Sequence, residues 1–171
     1  MYELQVVRIK LVEDVPLFSN RQIACADHAV EIMSEEIKLY DREVIFVLNL
    51  DASGNVLNMN MATMGSISEA YISPSEIFKT AILSNAIGII LMHNHPSGDP
   101  LPSEADISMT KRMMECVNLI VIQVVDHIIV AGISGDYYSM RKADMIPTDK
   151  TPRFVADEKI VYQKSNREKV R

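Results

Sequence analysis

Two histidines two residues apart, His93 and His95, close an apolar run, and an aspartate, Asp106, follows them across a short loop. Imidazole nitrogens and a carboxylate oxygen are the ligand types that hold divalent transition metals such as zinc. Three protein ligands leave a fourth position for water, the layout of a catalytic rather than a structural zinc. In an extended segment alternate side chains share a face, so His93 and His95 can aim at one spot while Asn94 points away. A lone histidine in a core is usually just satisfied by hydrogen bonds. A pair at this spacing, at the mouth of a buried strand, is less easily explained as packing.

The connecting segment Pro96-Ser97-Gly98-Asp99-Pro100-Leu101-Pro102 carries three prolines and a glycine. Such a stiff turn could hold a helix start against a strand end. Ser103-x-x-Asp106 then admits two readings. A serine with an acid three residues on is a capping box, or close to one, in its own right. The fixed distance from the histidines argues that Asp106 is also the third ligand. Asp99 competes for that place and ranks second, because Gly-Asp-Pro suggests loop geometry. His127 reads as structural, near the end of a sheet, and His28 as solvent-facing near the start of the first helix.

The elements that must position these residues follow from hydrophobic spacing. Tyr2 to Val12 alternates well enough to be an edge strand. Ala26 to Tyr40 places Ala29, Val30, Met33, Ile37 and Tyr40 at helical spacing, with Glu31, Glu35 and Lys38 on the wet side. Val44 to Leu50 is almost continuously apolar, as a strand covered on both faces should be. After the turn at Asp51 to Asn55 comes a strand with one apolar face (Leu57, Met59, Met61) and one polar face, its methionines read as core filling. Ser73-Pro74-Ser75-Glu76 predicts a helix start with serine cap, proline at the first position and Glu76 closing a capping box. Ile77, Phe78, Ala81 and Ile82 form that helix's expected buried stripe, ending near Asn85. A buried strand over 87–92 leads into His93. A helix from Ser103 to about Asn118 turns Ile107, Thr110, Met114 and Val117 to one side. Leu119 to Val130 is expected as one or two strands broken near Asp126-His127, with a last short strand at 137–140. The order strand, helix, hairpin, helix, strand, helix, strands fits a three-layer α/β sandwich with a mixed sheet.

Composition narrows the function classes. A chain of 171 residues with 48% hydrophobic and 23% charged residues suits one soluble domain with its own core. A single domain is expected over 1–147, its core at about 31–145, followed by a polar tail over 148–171. No apolar run reaches the ~20 residues that cross a bilayer, and the N-terminus has no signal-peptide design. Cys25 and Cys116, each placed in a predicted helix without a partner motif, read as reduced thiols of a cytoplasmic protein. The net charge of −6 argues against a nucleic-acid surface. The exception is the tail, where Lys159, Lys164, Arg167, Lys169 and Arg171 face Glu168 alone; it reads as a solvated end rather than a nucleic-acid arm.

His-x-His, seven residues, Ser, two residues, Asp is the JAMM signature of MPN+ metalloproteases. The segment His93-Asn94-His95-Pro96-Ser97-Gly98-Asp99-Pro100 resembles the bacterial RadC branch in particular. Arg42-Glu43 before an apolar strand, the helix start at Ser73 to Phe78, and Asp126-His127-Ile128-Ile129-Val130 extend the resemblance over roughly Glu31 to Met145. It implies an MPN/JAMM-type, cytidine-deaminase-like α/β sandwich. It also implies one zinc per chain on His93, His95 and Asp106, with a water activated to attack an amide bond. Glu43 matches the family's general base and Ser103 its oxyanion donor. An acid abutting a buried strand loses part of its water, which favours the proton-accepting range. The competing reading makes Glu43 an exposed acid paired with Arg42, and Ser103 a cap alone. The chain departs from longer family members in lacking a helix-hairpin-helix region ahead of this domain, so a DNA role drawn from that region does not carry over. The expected partner is a protein or peptide substrate. A DNA-repair or mobile-element accessory role, with nucleic acid as partner, is the alternative. A binding module without turnover is a third reading, against which the intact residue set counts.

Overall fold

The computed structural model describes residues 11, 25–37, 40–65, 72–132 and 134–147. The strand expected over 2–12, apart from Leu11, and the tail over 148–171 lie outside them. Along the chain run α1 (Ala26–Ile37), β1 (Val44–Leu50), β2 (Val56–Met64), α2 (Pro74–Leu83), β3 (Gly88–His95), α3 (Glu104–Ile120), β4 (Gln123–Ala131) and β5 (Tyr137–Ser139). The strands form one sheet in the order β2-β1-β3-β4-β5. Among the described residues only β3 and β4 pair in parallel.

β1 and β3 are buried at every position, which is why both read as continuous apolar runs rather than alternations. On one face α1 packs its Ala29, Val30, Met33 and Ile37 against Phe46, Leu48, Ile90, Met92 and Ile128. On the other, Ile77, Phe78 and Ala81 of α2 and Met109 and Met113 of α3 cover Ile45, Val47, Ile89, Leu91 and Ile129. The result is the three-layer mixed sandwich that element order suggested. Because β3 continues through α3 into a parallel neighbour, the carboxyl end of β3 faces the start of α3. In open α/β sheets that crevice is where ligands bind.

Several local expectations are corrected. Ser73 caps α2 by accepting from the Ser75 amide, but Glu76 closes no box and pairs with Lys79 at 2.7 Å instead. Ile82 is 55% exposed, so the buried stripe of α2 stops at Ala81. On α3 the buried residues are Asp106, Met109, Thr110 and Met113, a face turned by about one residue from the expected one. β4 is not broken at Asp126-His127. It carries a register shift just before them, where Ile89 pairs with Val124 and Ile90 with Asp126. Leu119 and Ile120 belong to the helix.

The two-faced strand β2 is oriented against the simple rule. Its polar face lies inward: Asn49 of β1 donates to Asn58 Oδ1 and Thr80 Oγ1 at 2.7 and 3.1 Å, and Asn58 donates to Ser84 at 2.8 Å. On the apolar face Leu57 is 44% and Met61 37% exposed, and of its methionines only Met59 packs against the core. Hydrogen bonding between side chains, not burial of apolar area, decides this edge.

α3 ends on Val121 at φ 59° and ψ 27°, its amide donating to Val117. A β-branched residue in the left-handed region carries a cost of roughly 1–2 kcal/mol, and Val121 is 77% exposed, so little packing offsets it. Glycine is the residue that closes such helices without strain. Val121→Gly should therefore stabilise the fold by about 1 kcal/mol after the glycine's own entropy cost, read as a shifted urea midpoint with unchanged slope.

Candidate metal centre

His93 and His95 leave β3 on the face covered by α3, and Asp106 meets them from the first turn of that helix. His93 Nε2 and His95 Nε2 lie 3.1 Å apart. Asp106 Oδ1 lies 3.2 Å from the first and Oδ2 3.4 Å from the second. All three residues are buried, and they form the group of His, Cys, Asp and Glu side chains among the described residues that could hold a metal ion. Neighbouring donors of a tetrahedral ion bound at ~2.0–2.2 Å stand roughly 3.3–3.6 Å apart. The observed spacings come within a few tenths of an ångström of that. Asp106 Oδ1 is buried without a hydrogen-bond partner, an arrangement costly for a carboxylate unless a cation completes it. The donor set therefore fits a zinc-like ion.

His95 and Asp106 are held by separate devices. His95 Nδ1 donates to the Asp99 carbonyl at 2.7 Å, which leaves its Nε2 lone pair facing the site. The turn that brings Asp99 there is closed by the Gly98 amide on the His95 carbonyl at 3.1 Å, with Gly98 at φ +85°. The Gly132 amide reaches the same carbonyl at 3.0 Å. A Cβ at Gly132 would stand 3.3 Å from it, so any side chain there would push this backbone by a few tenths of an ångström. Asp106 is held by Ser103, whose amide and hydroxyl donate to Oδ2 at 2.8 and 2.6 Å while Oγ accepts from the Asp106 amide at 3.2 Å. The capping box is complete, so one motif both starts the helix and aims the carboxylate. Asp99 is exposed and spends Oδ1 on the Leu101 amide; the cluster takes Asp106.

Electrostatics agree with a site built for positive charge. Burial pushes the Asp106 carboxyl up, but His93 and His95 beside it outweigh that and hold it far below the usual carboxylate range. The Asp106 carboxylate in turn raises the His95 imidazole against desolvation, with the Asp99 carbonyl and Glu43 adding to the effect. Glu43 is half-buried at the head of β1, whose antiparallel pairing with β3 sets Ile45 opposite His93. Its charge thus reaches the site across the sheet. Arg42 is committed to Asp41 at 2.8 Å.

Asn94 points to the opposite face, as alternation requires, and is fully buried there. Its Oδ1 accepts from the Val44 amide at 2.8 Å, and its Nδ2 donates to the carbonyls of Arg42 and Tyr40 at 3.0 and 3.3 Å. One side chain between the two histidines therefore fixes the backbone on both sides of Glu43.

A model of the RadC-like JAB domain matches residues 23–145. The chain belongs to this family. A UPF0758 protein of Syntrophomonas wolfei is 40% identical over 68% of the chain and 48% of its own length. A UPF0758 protein of Finegoldia magna is 44% identical over 68% of the chain and 51% of its own length. One of Clostridium acetobutylicum is 33% identical over 75% of the chain and 56% of its own length. The chain spans about half the length of the curated relatives it matches.

In this RadC-like domain, sequence reasoning left Thr110, His127 and the anchoring role of Asn94 outside the site. His127 is no ligand, but it sits fully buried against His93, a placement visible only once β4 is registered on β3. His28 is half-buried rather than solvent-facing. No helix of the described residues is long and apolar enough to cross a membrane. Asn94→Ala strands one buried amide and frees two carbonyls; at roughly 1–3 kcal/mol for an unsatisfied buried group, unfolding free energy should fall by about 3 kcal/mol in urea titrations.

Proposed function

We propose that the chain is a zinc-dependent hydrolase of the JAMM type that cleaves a peptide- or isopeptide-like amide. The observation that carries this reading is the buried His93, His95 and Asp106 cluster with its unpartnered Asp106 oxygen, in a chain of the RadC-like JAB family. His93 and His95 would hold the metal through Nε2 and Asp106 through its carboxylate. Zinc in such a site lowers the pKa of water towards ~7 and polarises a carbonyl.

The chain's own groups supply the remaining chemistry. Glu43 would accept a proton from the attacking water and return it to the leaving nitrogen. Asn94, bonded to the backbone on both sides of Glu43, would steady the strand head that carries it. Ser103 Oγ would turn from Asp106 Oδ2 to donate to the oxyanion, while its amide continues to hold the carboxylate. A protein or peptide partner suits the net charge of −6 better than a nucleic acid does.

Metal analysis of protein purified without chelators should find one zinc per wild-type chain and none in the His93→Ala, His95→Ala double variant; a metal-free wild type ends the reading. Adding zinc at about 100 times its Kd should stabilise the apo protein by about 2.7 kcal/mol, visible as a rise in Tm that a chelator reverses. Glu43→Gln should keep the zinc and lose about 10²–10⁴-fold in cleavage of a peptide library. Undiminished cleavage would remove Glu43 from the mechanism.

A further inference from the structure

Behind the ligands lies a chain of contacts that the proposed chemistry does not use. His93 Nδ1 stands 2.8 Å from His127 Nε2. His127 Nδ1 stands 2.6 Å from Thr110 Oγ1. Thr110 Oγ1 lies 2.7 Å from the main-chain carbonyl of Asp106 and 3.2 Å from Met140 Sδ. His93 and His127 are 0% and Thr110 3% exposed, so solvent is excluded from satisfying these groups. The chain closes a ring from the first ligand, across β4 and back through α3, to the backbone of the third.

Proton positions in this ring follow from what its ends can do. The Asp106 carbonyl and the Met140 thioether only accept. Whichever of them takes the Thr110 proton, the Thr110 lone pairs face His127, so His127 Nδ1 must carry hydrogen. Its Nε2 is then bare and accepts from His93 Nδ1–H. His93 Nε2 is left bare in turn, pointing at His95 and Asp106. With the order reversed, Thr110 donates into His127 and the sequence ends with hydrogen on His93 Nε2, in the space between the three donors. The ring thus has two settings, one open to a cation and one filled by a proton.

We infer that His127 and Thr110 are positioning residues that select the His93 tautomer with a bare Nε2 and so set the metal affinity of the site. This rests on the metal reading above. Partners of this kind behind a ligating histidine are worth 10–100-fold in metal affinity. Thr110 serves because its hydroxyl can bond back to the carbonyl one helical turn earlier, which also ties the Asp106 turn to the ring. His127 serves because it is fully buried and its two ring nitrogens meet His93 and Thr110 separately, one nitrogen donating and the other accepting.

The test compares zinc dissociation constants, measured by chelator competition, in wild type, Thr110→Val and Thr110→Ser. Valine keeps the shape without the hydroxyl and should weaken zinc about 10–100-fold; serine should retain wild-type affinity. In parallel, long-range proton–nitrogen correlation spectra of zinc-loaded wild type should show hydrogen on Nδ1 of both His93 and His127. This second measurement needs no variant and holds if Thr110→Val fails to fold. Hydrogen on His127 Nε2, or equal zinc affinity in Thr110→Val, overturns the relay while leaving the metal reading intact. A wild type that binds no zinc overturns both.

Discussion

A carboxylate buried against two imidazoles, with one oxygen left without a hydrogen bond, is the constraint that the rest of the molecule answers to. Asp106 Oδ1 sits in the interior with His93 Nε2 at 3.2 Å, and a charge so placed is tolerated only with a compensating positive partner. The surrounding structure supplies orientation rather than that partner. Ser103 fixes Oδ2, the Asp99 carbonyl fixes the His95 ring, and the His127 and Thr110 pair fixes the His93 ring. Each device removes one rotational freedom from a side chain of the cluster, and side chains fixed in advance have less to lose if the cluster takes up an ion.

The sheet makes this convergence possible by mixing its pairings. β3 runs parallel to β4, so α3 must cross between them and its first turn arrives at the carboxyl end of β3. β1 runs antiparallel to β3, so its first residues arrive at the same end. The two histidines of the cluster and Asn94 then divide the two faces. Alternation sends the imidazoles towards α3 and the carboxamide towards the backbone around Glu43. Three consecutive residues thereby register two chain segments on one point.

Elsewhere the structure shows where local pattern yields to context. β2 turns its half-buried asparagines towards Asn49, Thr80 and Ser84, which offer them hydrogen-bond partners. Asp126, at the shift in β4, is buried and accepts from Ser139 Oγ at 2.7 Å and from the amides of His127 and Arg141 at 2.7 and 3.0 Å. It fastens the strand next to His127 to the segment after β5. Val121 accepts a left-handed conformation at a helix end for no gain that its surroundings show.

The sequence by itself determined the parts that depend on short-range rules. Continuous apolar runs announced β1 and β3 because strands covered on both faces have no polar side. The spacing of His93, His95 and Asp106 announced the cluster because alternation and a proline-rich turn are local geometry, and the same residues carried the family resemblance. Tertiary structure alone decided what depends on register between distant strands. His127 is 34 residues from His93 and 17 from Thr110, and no periodicity reveals which face a bulged strand presents after its shift. Asn94 looked like the residue that points away. It does, and the fold uses that direction to hold the segment bearing Glu43, a contact across 50 residues that only the completed sheet brings together.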